Sequence, residues 1–302
     1  MNTFLTVNAW LAALILSSTM AARPTEESRV FVSQDHGLTW NRGDHGFPDD
    51  DGINVLILHN KRVFAGTNGH GIWAMDQNGW YIQSSGLPKE SRVISLLSNN
   101  QVLFAGLDRG GLYYSADEGS SWHPVGQRPD DNVRALSGRA GEVYAGTDDG
   151  IYRVNVRDGT WQRLLGGVQI NAFACNDRYI YASTHQGVVR STDGLAWEPV
   201  YRRSAINKVV LIKSEILLMD YSGNVYRADQ EHPFFIKEDL FLPHHYFKLT
   251  PASPKIMGGE WSELSFVKSG ARKGLPASAP LSILLQTPFG LLAVRSPRGG
   301  GC

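Results

Sequence analysis

The sequence predicts an all-β chain folded as a seven-bladed β-propeller, closed by pairing its N-terminal and C-terminal strands in one blade. Two periodic ladders and two half-blades at the chain ends lead to this reading. The first ladder is Val63-Phe64-Ala65-Gly66-Thr67, Leu103-Phe104-Ala105-Gly106-Leu107, Val143-Tyr144-Ala145-Gly146-Thr147 and Ile180-Tyr181-Ala182-Ser183-Thr184. Weaker copies follow at Leu217-Leu218-Met219-Asp220 and Lys255-Ile256-Met257-Gly258. Spacings of about 37 to 40 residues match one four-stranded blade. The second ladder is Trp40, Trp80, Trp122, Trp161 and Trp197, separated by 40, 42, 39 and 36 residues.

Taken from the amino terminus, the first segment differs in kind from the rest. Residues 4–16 are almost all apolar, and Thr19 and Ala21 suit the −3 and −1 positions of a signal-peptidase site. No Lys or Arg precedes them, and the uncharged stretch 3–22 is long enough to cross a bilayer. Residues 1–22 are therefore read as a cleaved signal peptide or, alternatively, a retained membrane anchor. Residues 23–28 are a linker and 29–302 a single propeller domain. The expected location is outside the cytoplasm, periplasmic or secreted.

Within one repeat the strands are legible. Residues 132–136, 142–146, 150–154 and 160–164 read as its four strands, separated by Gly and Asp/Asn clusters, as hairpins require. Residues 29–40 read as the last two strands of a blade and 280–295 as the first two. Joined, they make one blade and remove exposed sheet edges. Six internal blades, the sixth eroded around 262–274, plus this composite one give the expected seven.

Composition narrows the function classes. Lys+Arg and Asp+Glu balance at 29 each with no basic block, which argues against a nucleic-acid or anionic-membrane surface. With 32 Gly, 8 Trp and 2 Cys, the fold depends on turns and aromatic packing rather than disulfides. Cys175 and Cys302 lie on separate blades in this register and are not expected to pair.

Ser33-Gln34-Asp35-His36-Gly37-Leu38-Thr39-Trp40 matches the pattern Ser-x-Asp-x-Gly-x-Thr-Trp in full. Ser115, Asp117, Gly119 and Trp122 carry a second copy, and Ser191, Asp193 and Trp197 a third that is one residue short. Eroded copies end at Trp80 and Trp161. In such a turn the Asp can accept backbone N–H groups, Gly can take positive φ, and Trp can be buried between sheets. These residues are read as structural. The pattern resembles the Asp-box, or BNR repeat, of sialidase-like, xyloglucan-cleaving and sortilin-type propellers. The chain is most similar to the photosystem II stability/assembly factor-like group. That resemblance implies a peripheral, non-catalytic place for the boxes.

Ligands are expected at the face formed by second-to-third-strand loops and blade-to-blade loops. Asp108, Arg109, Asp148, Asp149, His185, Asp220, Tyr221, Glu260 and Arg298 are the candidate binding residues. The blade-to-blade loops add Asp49-Asp50-Asp51, Asp130-Asp131, Arg202-Arg203 and His244-His245. No Arg-Ile-Pro element of the sialidase kind occurs. A glycoside hydrolase would need two carboxylates about 5–9.5 Å apart, one with a raised pKa. Asp49-Asp50-Asp51 lacks the alternating spacing of a calcium loop. No metal, cofactor or catalytic residue is assigned. The expected function is a non-catalytic binding or assembly propeller engaging a protein partner, with a carbohydrate-active hydrolase as the alternative.

Overall fold

The computed structural model describes residues 29–35, 39–126, 132–139, 141–203, 206–212, 214–220, 224–241, 248–249, 281–287 and 290–295. Strands β1 (Val30–Ser33) and β2 (Asn41–Arg42) belong to the closing blade. Blade 1 is β3 (Ile53–His59), β4 (Arg62–Thr67), β5 (Ile72–Asp76) and β6 (Gly79–Ile82). Blade 2 is β7 (Val93–Asn99), β8 (Val102–Leu107), β9 (Gly111–Ser115) and β10 (His123–Pro124). Blade 3 is β11 (Val133–Arg139), β12 (Glu142–Thr147), β13 (Gly150–Asn155) and β14 (Thr160–Gly166). Blade 4 is β15 (Ala172–Cys175), β16 (Ile180–Thr184), β17 (Gly187–Ser191) and β18 (Glu198–Tyr201). Blade 5 is β19 (Ile206–Ile212), β20 (Glu215–Asp220), β21 (Asn224–Asp229) and β22 (Ile236–Phe241). The remaining strands are β23 (Lys248–Leu249), β24 (Leu281–Thr287) and β25 (Gly290–Arg295).

Each of blades 1 to 5 is an antiparallel meander, and the first strands β3, β7, β11, β15 and β19 pack successively against one another. The closing blade has the order β2-β1-β25-β24-β23. Val30, Phe31, Val32 and Ser33 pair antiparallel with Val294, Ala293, Leu292 and Leu291. The β24–β25 register, with a bulge between Leu281 and Ile283, reproduces that of β3–β4, with its bulge between Ile53 and Val55. The two ends of the chain thus supply complementary halves of one sheet.

Among the described residues the propeller has six blades, not the expected seven. The seventh in the sequence count rested on Lys255-Ile256-Met257-Gly258, which lies outside the described residues. Between Phe241 and Leu281 the described residues are Lys248 and Leu249, and these extend the closing sheet as a parallel strand against Ile283 and Leu284. Marker periodicity alone predicts a strand, and it cannot say which sheet that strand joins. The signal or anchor segment 1–22 and the linker 23–28 also lie outside the described residues.

The repeated Ala-Gly-Thr unit has a packing explanation. A Cβ on Gly66 would meet Val93 Cγ1 at 2.7 Å, one on Gly106 Val133 O at 2.5 Å, and one on Gly146 Ile170 Cγ2 at 2.5 Å. The glycine is where the next blade's inner edge seats. The Thr binds the loop that follows, with Thr67, Thr147 and Thr184 Oγ1 donating to the carbonyls of Gly71, Gly150 and Gly187. These hydroxyls also accept from His70, Asp149 and Gln186 N–H.

A second regularity lies on the inner strands. Ile53 and Leu56 are buried in one cluster, Val93 and Leu96 in the next, and Ile206 and Val209 in another. Residues three apart face opposite sides of a regular strand. The bulges at Ile53/Val55, Val93/Ser95 and Ile206/Lys208 add one residue and bring both onto the face toward the preceding blade.

Candidate binding face

The Ser-x-Asp turns lie between the third and fourth strands of their blades. Asp117 Oδ1 accepts from Ser115 Oγ at 2.7 Å and Ser121 N at 2.9 Å, and Oδ2 accepts from Ser121 Oγ at 2.6 Å. These bonds, led by that from the Ser121 hydroxyl, bring the Asp117 pKa down to about 2. Asp35 makes the same set with Ser33 and Thr39, and there the bonds outweigh the upward push of burial to leave its pKa lowered. Asp193 accepts from Leu195 and Ala196 N–H and from Ser191 Oγ, and its pKa is lowered too, chiefly by the two amides. Gly119 and Gly194 sit at φ +86° and +77°, and each donates to the first Ser of its turn. Gly37 is outside the described residues.

The tryptophans that follow divide into two kinds. Trp80, Trp122 and Trp161 donate Nε1–H to Gly43, Gln83 and Val125 carbonyls of the preceding blade. Trp197 donates to Gly194 in its own turn. Trp40 is buried against Phe31, Leu291 and Ala293 within the closing blade.

The opposite rim carries the loops joining second to third strands and blade to blade. On it Asp108 pairs with Arg92 at 2.9 Å, Asp148 with Arg134, and Asp149 with Arg163 at 2.9 Å. Arg109, exposed and at φ +57°, donates its backbone N–H to Asn132 Oδ1 at 2.7 Å. Asn132 Nδ2 donates to Asp148 Oδ2 at 2.5 Å. Tyr152 OH donates to Asp149 Oδ2 at 2.9 Å. Arg109 and Asp148 are thus joined across the seam between blades 2 and 3 through Asn132, while Asp149 is tied within blade 3.

The other candidates are dispersed. His185 is exposed in the β16–β17 loop. Asp220, at the end of β20, accepts from Asn224 N at 2.9 Å and from Asn224 Nδ2 at 2.8 Å, which serves its own turn. Tyr221, Glu260 and Arg298 lie outside the described residues. Cys175 faces blade 3, shares a hydrogen bond with Ser137 Oγ and donates to Gly138 O, and burial pushes its thiol pKa up. Cys302 is outside the described residues.

The most enclosed acid on this rim is Asp51, the last of the blade-to-blade triplet Asp49-Asp50-Asp51. Asp51 is 3% exposed, accepts from Gly52, Asn68 and His70 N–H, and lies 2.8 Å from His70 Nδ1. Burial raises its pKa, and hydrogen bonds from Thr67, His70 and the backbone more than reverse this, leaving it lowered. Its carbonyl accepts from Arg29 Nη1, which ties the closing blade to blade 1. Asp51 and His70 are both visible in the sequence, but their 19-residue separation gives no periodic signal. Asn132, next to the Asp130-Asp131 pair, carries no sequence signal that marks its amide as a bridge between blades.

Every Asp on the described residues whose pKa departs from its ordinary value departs downward. Among the described residues no group of three His, Cys, Asp or Glu is placed to hold a metal ion.

No family model and no curated protein sequence matches the chain. Solved structures do match in fold. The extracellular domain of BT4673 from B. thetaiotaomicron, described as a hybrid two-component system, superposes with TM-score 0.54 at 14% identity, covering 62% of this chain and 28% of that one. An ancestral GH74 enzyme gives TM-score 0.51 at 14% identity, with 70% and 32% covered. PorZ, a surface component of the type-IX secretion system of Porphyromonas gingivalis, gives 0.50 at 17% identity, with 64% and 28% covered. The chain spans about a third or less of the length of these proteins, and at such identities the likeness establishes a shared β-propeller fold.

Proposed function

We propose that the chain is a non-catalytic binding or assembly propeller, working outside the cytoplasm and engaging a protein partner through the rim that carries Arg109, Asp108, Asp148 and Asp149. The observation that carries this reading is the pairing of those three acids with Arg92, Arg134 and Arg163. A general acid needs a carboxyl held protonated near neutral pH. Carboxylates answered by guanidinium groups are poorly suited to that task and well suited to a fixed, mixed-charge recognition surface. The extracellular and surface settings of the BT4673 domain and PorZ support an exported location. The apolar 4–16 stretch supports export as well.

The test is quantitative capture from the envelope and medium fractions with wild-type protein and an Arg109→Glu, Asp148→Arg variant. Proteins retained by the wild type and lost by the folded variant support the reading. Identical capture by both, or turnover of xyloglucan abolished by a single Asp substitution, overturns it in favour of the hydrolase.

A further inference from the structure

The hairpin between β3 and β4 carries a buried histidine on the seam between blades 1 and 2. His59 ends β3 and is 2% exposed. Its Nδ1 lies 2.8 Å from Ser98 Oγ on β7, the first strand of blade 2. Its Nε2 lies 3.3 Å from Asn60 Nδ2. That same amide nitrogen donates to Glu118 Oε1 at 3.2 Å, in the turn between β9 and β10 of blade 2. From β4, Arg62 Nη1 donates to Glu118 Oε2 at 3.3 Å, and the Phe64 ring meets His59 edge to face at 6.1 Å between centroids. Among the described residues the charged groups acting on the imidazole are Glu118 and Arg62.

These contacts fix the place of the ring proton. An ionised carboxylate only accepts, so Asn60 must turn its NH2 group toward Glu118. The same NH2 faces His59, whose Nε2 must then accept, which leaves Nδ1–H to donate to Ser98 Oγ. A second proton breaks this order. Nε2–H would then face the Asn60 NH2, donor against donor. Turning the amide over answers Nε2–H but sets Oδ1 against Glu118 Oε1, acceptor against acceptor. No orientation of Asn60 serves a protonated His59 and an ionised Glu118 together, so the link from Asn60 to blade 2 gives way.

We propose that His59, Asn60 and Glu118 form an acid-operated latch between blades 1 and 2, closed by the neutral imidazole and opened when the ring takes up a second proton. Burial, the largest influence, holds the His59 pKa below its ordinary 6.5; Glu118 opposes this and Arg62 adds to it. As pH falls the unfolded chain takes the proton first. The stability contributed by the latch is therefore complete above 6.5 and is lost as pH falls through the folded value. The latch lies on the Asp-box side of the blades, away from the charged rim around Asp148, and does not depend on the partner-binding reading.

NMR titration of the whole chain between about pH 7.5 and pH 5 provides the test, following the His59 ring nitrogens and the Asn60 side-chain amide together. The ring is expected as the Nδ1–H tautomer at the upper end, and the Asn60 amide resonances should shift with the His59 midpoint. Asn60→Asp supplies an acceptor for Nε2–H and should raise that midpoint by about 1–3 pH units. Asp tolerates the left-handed φ of +46° at this exposed turn position, so the variant keeps the hairpin. An Nε2–H tautomer in the wild type at the upper end, an Asn60 amide that ignores the His59 titration, or a midpoint that Asn60→Asp leaves unchanged or lowers overturns the proposal.

Discussion

Replacing Trp122 by Ala tests the seam between blades 1 and 2. Trp122 is 2% exposed and packs among Phe64, Ile72, Ala74, Leu103 and Ala105. Its Nε1–H donates to Gln83 O at 2.8 Å and its backbone N–H to Ser85 O at 2.8 Å, both on the preceding blade. Burying about 150–250 Å² at about 25 cal/mol per Å² stabilises by roughly 4–6 kcal/mol as an upper bound. Truncations of buried aromatic residues cost about 3–5 kcal/mol, and that is the loss expected here. Trp197 provides the contrast. It is half-buried, and its indole N–H is satisfied by Gly194 in its own turn. Trp197→Ala should therefore cost roughly 1–2 kcal/mol, nearer the ordinary value for a point substitution. Urea unfolding of both variants, followed by tryptophan fluorescence and circular dichroism, measures the difference. Equal losses, or a larger one for Trp197→Ala, would refute the assignment of the bridging role to Trp122.

Three further outcomes follow from the same geometry. Gly106→Ala places a Cβ 2.5 Å from Val133 O, so it should cost about 1–3 kcal/mol by overpacking, whereas Gly69→Ala meets nothing within 4 Å and should be neutral or slightly stabilising in the same urea assay. The stabilisation from ionised Asp117, with its pKa lowered to about 2, is complete above the ordinary value of 3.8 and fades as pH falls toward 2. Acid titration of Asp117→Asn should accordingly show a shallower loss of stability across that window. Lys208, with its pKa lowered from 10.5 to about 8, leaves the unfolded chain holding the extra proton between those values, so wild-type stability should rise relative to Lys208→Met as pH climbs from 8 to 10.5, by on the order of 3 kcal/mol. Denaturation midpoints of the two proteins at pH 7 and pH 10 check the sign.

The architecture was legible where side-chain demands repeat. Glycine at 66, 106 and 146 is dictated by the next blade's inner edge, and Thr at 67, 147 and 184 by the loop it ties, so both recur in register. The blade number among the described residues was not legible, because an apolar run in a sequence carries no information about which sheet a strand would join. The inner-strand bulges were also hidden. Apolar residues three apart, such as Ile53 and Leu56, do not fit the two-residue alternation of a regular strand, and only the pairing to β4 reveals the extra residue. On the candidate rim, the sequence supplied Asp108, Arg109, Asp148 and Asp149, but not the partners Arg92, Arg134 and Arg163 or the bridge through Asn132. Those depend on contacts between loops and strands whose separation in the chain follows no motif.

Closure by the two chain ends is tested most directly by a disulfide. Val32 and Leu292 are opposed across the β1–β25 pair, and opposed residues in antiparallel strands have Cα atoms about 4.5–5.5 Å apart, within disulfide reach. In a background with Cys175 and Cys302 replaced by Ser, Val32→Cys with Leu292→Cys should oxidise fully in air to a monomeric, thiol-free protein. Two titratable thiols persisting in the folded monomer would contradict the composite blade.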